Sequence, residues 1–215
     1  MITIVERFKK IKLKINSLKP IKPVNIIAVS KTFPIDYIKP LIDYGHTHFG
    51  ENKVQEATAK WTEIRKSNQN LRLHMIGKLQ SNKAKDAVKL FDYIHSVDNQ
   101  KLADTLAKHQ INLNRNLKYF IQVNIGNEIQ KSGIKLDELK NLVDECNKVN
   151  LDVMGLMCLP PENEDASKYF SLIKNKNEEF NFSDLSIGMS SDYMDAIIYK
   201  TSFLRIGTKI FGDRD

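Results

Sequence analysis

Apolar residues recur along this chain in two alternating rhythms. Between residues 4 and 18, Ile4, Phe8, Ile11, Ile15 and Leu18 fall three or four apart with lysines opposite. That stripe predicts an amphipathic helix that covers the side or end of a core. Short runs of β-branched and small apolar residues then alternate with further helical stripes. The runs at 24–30, 46–49, 72–77, 93–97, 117–124, 152–157, 184–188 and 203–207 predict strands. The first, Ile26-Ile27-Ala28-Val29-Ser30, is continuous enough to be buried on both faces, as parallel strands are. Val54, Ala57, Trp61 and Ile64 mark one face of a helix over 51–66, and Leu136, Leu139, Leu142, Val143 and Cys146 mark another over 136–148. Pro34 suits the first turn of a helix through Ile38, Leu41 and Ile42, which Gly45 ends.

Strands that alternate with helices predict an all-parallel sheet, and eight such units close into a (β/α)8 TIM barrel. The expectation is one barrel domain over residues 1–215 with an extra N-terminal helix. An open doubly wound sheet is the alternative, although no Gly-x-Gly-x-x-Gly follows the first strand to give it a dinucleotide site.

Composition narrows the function classes. The net charge is +7, but lysine outnumbers arginine 27 to 6 and asparagine and isoleucine are also heavy. This reads as compositional bias, so no nucleic-acid partner is expected. Cys146 and Cys158 are the only cysteines and show no paired spacing, which points to reduced thiols and a cytoplasmic location. No apolar run approaches a membrane span, and Glu6, Arg7, Lys9 and Lys10 break any signal-peptide core. A monomer without membrane attachment is expected.

In a barrel, chemistry sits at the C-terminal ends of the strands. Lys31 ends the first. There it is either a lip residue pointing at water or an amine pressed against a dry wall, deprotonated by burial and able to form a Schiff base with an aldehyde. Asn52 follows Phe49-Gly50-Glu51 and either caps the next helix or aims its amide at a ligand. His74, inside the third strand, reads as a core histidine bonded to a carbonyl, and Ser81 or Asn82 as a helix cap. His46-x-His48 finds no further ligand at metal spacing, so no metal is expected. Ser186-Ile187-Gly188-Met189-Ser190-Ser191-Asp192 presents backbone N–H groups at a helix start, an anion site, with Asp192 either opposing the anion or capping. Gly207-Thr208 repeats glycine plus hydroxyl after the eighth strand, and loops after strands seven and eight are where barrels hold phosphate. Arg205, between Leu204 and Ile206, must face the lumen and find partners there, either a buried carboxylate or a ligand.

Taken together, Ala28-Val29-Ser30-Lys31-Thr32, Phe49-Gly50-Glu51-Asn52, His74-Met75-Ile76-Gly77, Leu79-Gln80-Ser81-Asn82-Lys83, Lys131-Ser132-Gly133, Gly155-Leu156-Met157, Ser186-Ile187-Gly188-Met189-Ser190 and Arg205-Ile206-Gly207-Thr208 resemble the pyridoxal-phosphate homeostasis protein family. The resemblance implies a barrel like the N-terminal domain of alanine racemase, holding pyridoxal 5'-phosphate. Lys31 would match the Schiff-base lysine, and Ser190, Gly207 and Thr208 the phosphate contacts. Arg205 would face the pyridine nitrogen, with Asn52 and Met189 lining the ring pocket. It further implies a carrier that exchanges cofactor with pyridoxal-phosphate-dependent apoenzymes and has no catalytic residues. The alternative is a single-domain amino-acid racemase. Against that, racemases with this barrel draw a second base from another domain, and an arginine at the ring nitrogen weakens the electron sink. Leu73 and Met75 depart from the family's commoner residues, with altered packing expected near the pocket floor.

Overall fold

The computed structural model describes residues 2–212, so Met1 and 213–215 of the expected domain lie outside the described residues. Its strands are β1 (Asn25–Val29), β2 (His48–Glu51), β3 (Arg72–Met75), β4 (Tyr93–Val97), β5 (Lys118–Val123), β6 (Val153–Cys158), β7 (Asp184–Met189) and β8 (Phe203–Ile206). They pair in parallel and in sequence order as a closed barrel. β1 pairs with both β2 and β8, with Ile27 in register with Arg205, which excludes the open sheet. Around the strands lie α1 (Ile4–Ser17), α2 (Ile35–Asp43), α3 (Val54–Ser67), α4 (Ala84–Leu90), α5 (Gln100–Asn112), α6 (Leu139–Lys148), α7 (Ala166–Glu179), α8 (Tyr193–Ile198) and the single turn α9 (Thr208–Phe211).

The two-residue period of a strand sorts its side chains between two cores. Ile26 and Ala28 join the large cluster under the helices, whereas Ile27 points into the lumen with Phe120, Met157 and Phe203. The same alternation corrects the expectation for Leu73 and Met75. Both are buried in the outer cluster beneath the helices, while His74 between them faces inward, so they do not form a pocket floor.

Helix α1 is a packing helix. Thr3 and Glu6 close a capping box at its start, and Ile4, Phe8, Ile11 and Ile15 are buried. It lies against α2 and the short α9, where Arg7 donates to the carbonyls of Ile210 (2.6 Å) and Phe211 (3.2 Å). Leu18, predicted on its stripe, is instead the half-exposed cap residue. β2 begins at His48 rather than 46, because His46 turns its Nε2–H back onto the His48 carbonyl (2.8 Å). Ser81–Lys83 is a 3₁₀ turn with no side-chain cap, contrary to the helix-cap reading of Ser81 and Asn82.

Candidate functional site

Lys31, Asn52, Met189, Ser190, Arg205, Gly207 and Thr208 line one cavity of about 760 Å³ at the C-terminal mouth of the barrel. They come from four strand ends, so closure of the barrel is what gathers them. Ile76, Gly77, Leu159, Glu162 and Lys209 are also in the wall. Lys31, Arg205 and Lys209 against Glu162 give this cavity a positive balance. A second cavity of about 680 Å³ is lined by Asp98, Glu128, Glu138 and Glu145 against Lys135, which suits an anion poorly.

The strand end that carries Lys31 is tied from behind. Thr32 has a left-handed φ of 70°, unfavourable for a β-branched residue. Its N–H donates to Glu56 Oε1 at 2.6 Å, and Lys60 donates to the Ser30 carbonyl at 2.9 Å. Lys60 also bridges Glu56 (3.1 Å) and Glu51 (3.0 Å). Burial would raise Glu56, but the Thr32 N–H and Lys60 outweigh it and hold its carboxyl below the usual range. Glu51, fully buried, further accepts from Ser30 Oγ (2.7 Å) and the Trp61 indole (2.9 Å). A twisted backbone held by this many bonds persists because its surroundings over-determine it. No supporting role was legible for these residues along the chain, where Glu51 and Glu56 stand within the family's motif strings and Trp61 on one face of a helix.

Asn52 is not a cap. α3 begins at Val54 with no side-chain cap bond, and the Asn52 Oδ1 is buried with no protein partner among the described residues. A buried amide oxygen without a donor is costly, and a ligand hydrogen would satisfy it. Gly77 brings the β3 exit against this residue. A Cβ at position 77 would lie 2.7 Å from Asn52 Cα, so only glycine permits the approach.

Arg205 has no carboxylate partner among the described residues. It donates to the Ser186 carbonyl (2.6 Å), Ser186 Oγ (2.7 Å) and the Cys158 carbonyl (2.8 Å). These bonds use three of the guanidinium's five hydrogens. Burial pulls Arg205 down to about 10, still charged at neutral pH. The two glycine-hydroxyl loops meet where the Lys209 N–H donates to Ser190 Oγ (3.4 Å). Asp192 holds the N-cap position of α8 but makes no side-chain cap bond there; its carboxylate accepts the Met189 N–H instead (2.6 Å). Lys131–Gly133 lies outside the cavity, in the loop after β5, where Lys131 donates to the Pro160 carbonyl (3.0 Å). His74 is fully buried as expected, but its partners are the imidazoles of His48 and His95 rather than a carbonyl.

The alanine racemase N-terminal domain family model matches residues 9–215. The pyridoxal phosphate homeostasis protein of Pasteurella multocida is 36% identical over 208 residues, covering 92% of this chain and 89% of that one. Its Escherichia coli counterpart is 35% identical over 202 residues, covering 89% and 86%. PipY of Synechococcus elongatus, solved with PLP bound, superposes with a TM-score of 0.82 at 33% identity over 98% of this chain and 100% of that one. The alanine racemase of Clostridium difficile shares the fold at 15% identity, with a TM-score of 0.71 over 94% of this chain and 55% of that one. With a closed barrel, a cationic cavity at its C-terminal mouth and relatives matched along nearly its whole length, this chain belongs to the pyridoxal phosphate homeostasis protein family, built on the alanine racemase N-terminal domain.

Proposed function

We propose that this single-domain barrel binds pyridoxal 5'-phosphate at its C-terminal mouth and serves cofactor homeostasis without turning over a substrate. One observation carries the reading. An amine, an orphaned amide acceptor and a guanidinium held only by neutral acceptors converge on one cavity large enough for a small aromatic anion. When bound, the cofactor supplies an aldehyde that reacts with primary amines and a ring that accepts electrons. Lys31 is the amine for that aldehyde, with the Glu56–Lys60 pair fixing its strand end. Ser190, Gly207 and Thr208 take the phosphate between the last two strand-end loops. Arg205 meets the ring nitrogen and disfavours its protonation, while Met189 and Asn52 border the ring. A positive group at that nitrogen weakens the ring as an electron sink, which favours carrying over catalysis. We place the protein as a monomer in the cytoplasm, exchanging cofactor with enzymes that depend on it, in keeping with two buried, unpaired cysteines. Among the described residues, no helix is long and apolar enough to cross a membrane.

Borohydride reduction of the loaded protein followed by peptide mapping tests the assignment. The pyridoxyl label is expected on Lys31, and a label mainly on Lys83 or Lys209 rejects it. Chiral assays over a panel of amino acids test the racemase alternative. Stereoinversion at an enzyme-like rate that Lys31→Ala abolishes would establish it.

A further inference from the structure

Arg205 is 5% exposed and hydrogen-bonds only neutral acceptors; Asp192 supports its charge without pairing with it, and neighbouring dipoles supply the rest. Behind its partner Ser186, a row of imidazoles runs through the lumen toward the opposite mouth of the barrel. Ser186 Oγ lies 2.9 Å from His95 Nδ1. His95 Nε2 lies 2.9 Å from His74 Nδ1, and His74 Nε2 lies 2.9 Å from His48 Nδ1. His74 and His95 are fully buried, and each is stacked on a ring, Tyr93 at 4.3 Å and Phe120 at 4.4 Å between centroids. His48, in the first position of β2, is only partly buried.

Arg205 can only donate, so Ser186 Oγ accepts from it, and the one acceptor recorded for the serine's own hydrogen among the described residues is His95 Nδ1. That sets the direction of the row. A neutral His95 then carries its hydrogen on Nε2 and donates to His74 Nδ1. His74 in turn donates from Nε2 to His48 Nδ1. All three rings thus turn their unprotonated nitrogen toward the guanidinium and their N–H away. The aligned dipoles offset a buried positive charge that no carboxylate pairs with.

We propose that Ser186, His95, His74 and His48 form a one-way hydrogen-bond relay that orients Arg205 toward its ligand and couples its hold to the protonation of His48 at the far mouth. The coupling rests on the reading that Arg205 faces the ligand. A charged His48 must donate from Nδ1 to His74, which reverses the row. One proton is gained in all. His48 becomes doubly protonated, and His74 and His95 each exchange an Nε2–H for an Nδ1–H. Ser186 keeps its hydrogen but now accepts from both His95 and Arg205, and its own O–H loses its acceptor. The guanidinium then faces the N–H side of the imidazole row and loses the support of its dipoles. Facing His48 are Arg72 from β3, Asp92 before β4, Tyr93 of β4 (itself in the fields of Lys118 and Asp184), His74 and the preceding His46. Burial first, and then Arg72, hold His48 below the ordinary imidazole value, so the reversal belongs to the acid side.

Two measurements test this. In ligand-free protein at about pH 7.5, ¹⁵N side-chain NMR should find His95 and His74 as Nε2–H tautomers; an Nδ1–H tautomer on either overturns the relay. The dissociation constant for pyridoxal 5'-phosphate is then compared between wild type and His48→Gln, with His48→Asn as a second variant, from about pH 8 to about pH 5.5. The wild-type-to-variant ratio should be flat above about pH 7.5 and rise about 5-fold toward the acid end, the low end of coupling between linked sites. A constant ratio overturns the coupling. A falling ratio overturns it too, since that is plain attraction between a new positive charge and the phosphate. Absence of binding in both proteins refutes the reading of the cavity and the coupling with it, whereas the tautomer measurement decides the row's direction by itself.

Discussion

Acidification should unfold this protein earlier than its carboxylates alone dictate, because its histidines are built in as neutral groups. Burial, the largest cause for each, depresses His46 to about 4 and holds His74 and His95 well below the free value of 6.5. Between those folded values and 6.5, the unfolded chain binds protons that the folded chain refuses. Stability from this source is therefore complete above about pH 6.5 and drains away as the pH falls below it. From about pH 7 to about pH 5.5, each such imidazole costs about 1 kcal/mol, so the three together cost about 3–4 kcal/mol. That is a large share of the 5–15 kcal/mol typical of a whole domain, at roughly that order of magnitude. Glu56, with its depressed value, starts to lose its contribution only as the pH falls through the ordinary carboxylate value of 4.5, so the window above about pH 5 isolates the histidines. Urea unfolding at a series of pH values reads the effect directly as a falling midpoint at constant slope. A loss below about 1 kcal/mol across that window would mean that the lumen admits charged imidazoles, and the argument from burial would fail.

Two further outcomes follow from packing. Gly77→Ala places a Cβ 2.7 Å from Asn52 Cα and Cβ, so it should destabilise by about 1–3 kcal/mol and weaken pyridoxal 5'-phosphate binding, read by thermal unfolding and an absorbance titration. A variant as stable and as well loaded as wild type would show that the β3 exit yields freely. Both cysteine thiols are pushed by burial up to about 12, so neither should react with a disulfide reagent at neutral pH until the chain unfolds. Fast stoichiometric labelling of the folded protein contradicts that.

The alternation of strand and helix stripes determined a parallel α/β architecture, because period and spacing are local properties that each segment carries by itself, but only the β1–β8 pairing chose the closed barrel over the open sheet. The strand-end positions followed from the same reading, while the full set of side chains at Lys31, Asn52, Met189, Ser190, Arg205, Gly207 and Thr208 came from the family resemblance. Only the closed structure decided what each of them touches. Asn52 could cap a helix or face a ligand, and the start of α3 at Val54 settled that it does not cap. Arg205 could pair with a carboxylate or with none, and its partners proved to be oxygens of Ser186 and Cys158, 19 and 47 residues away in sequence. His48, His74, His95 and Ser186 come from four different strands, and no spacing along the chain relates them. Closure of the barrel aligns them in one lumen as a hydrogen-bonded row that ends on a single buried guanidinium, and hydrogen-bond direction is a property of that assembled row alone.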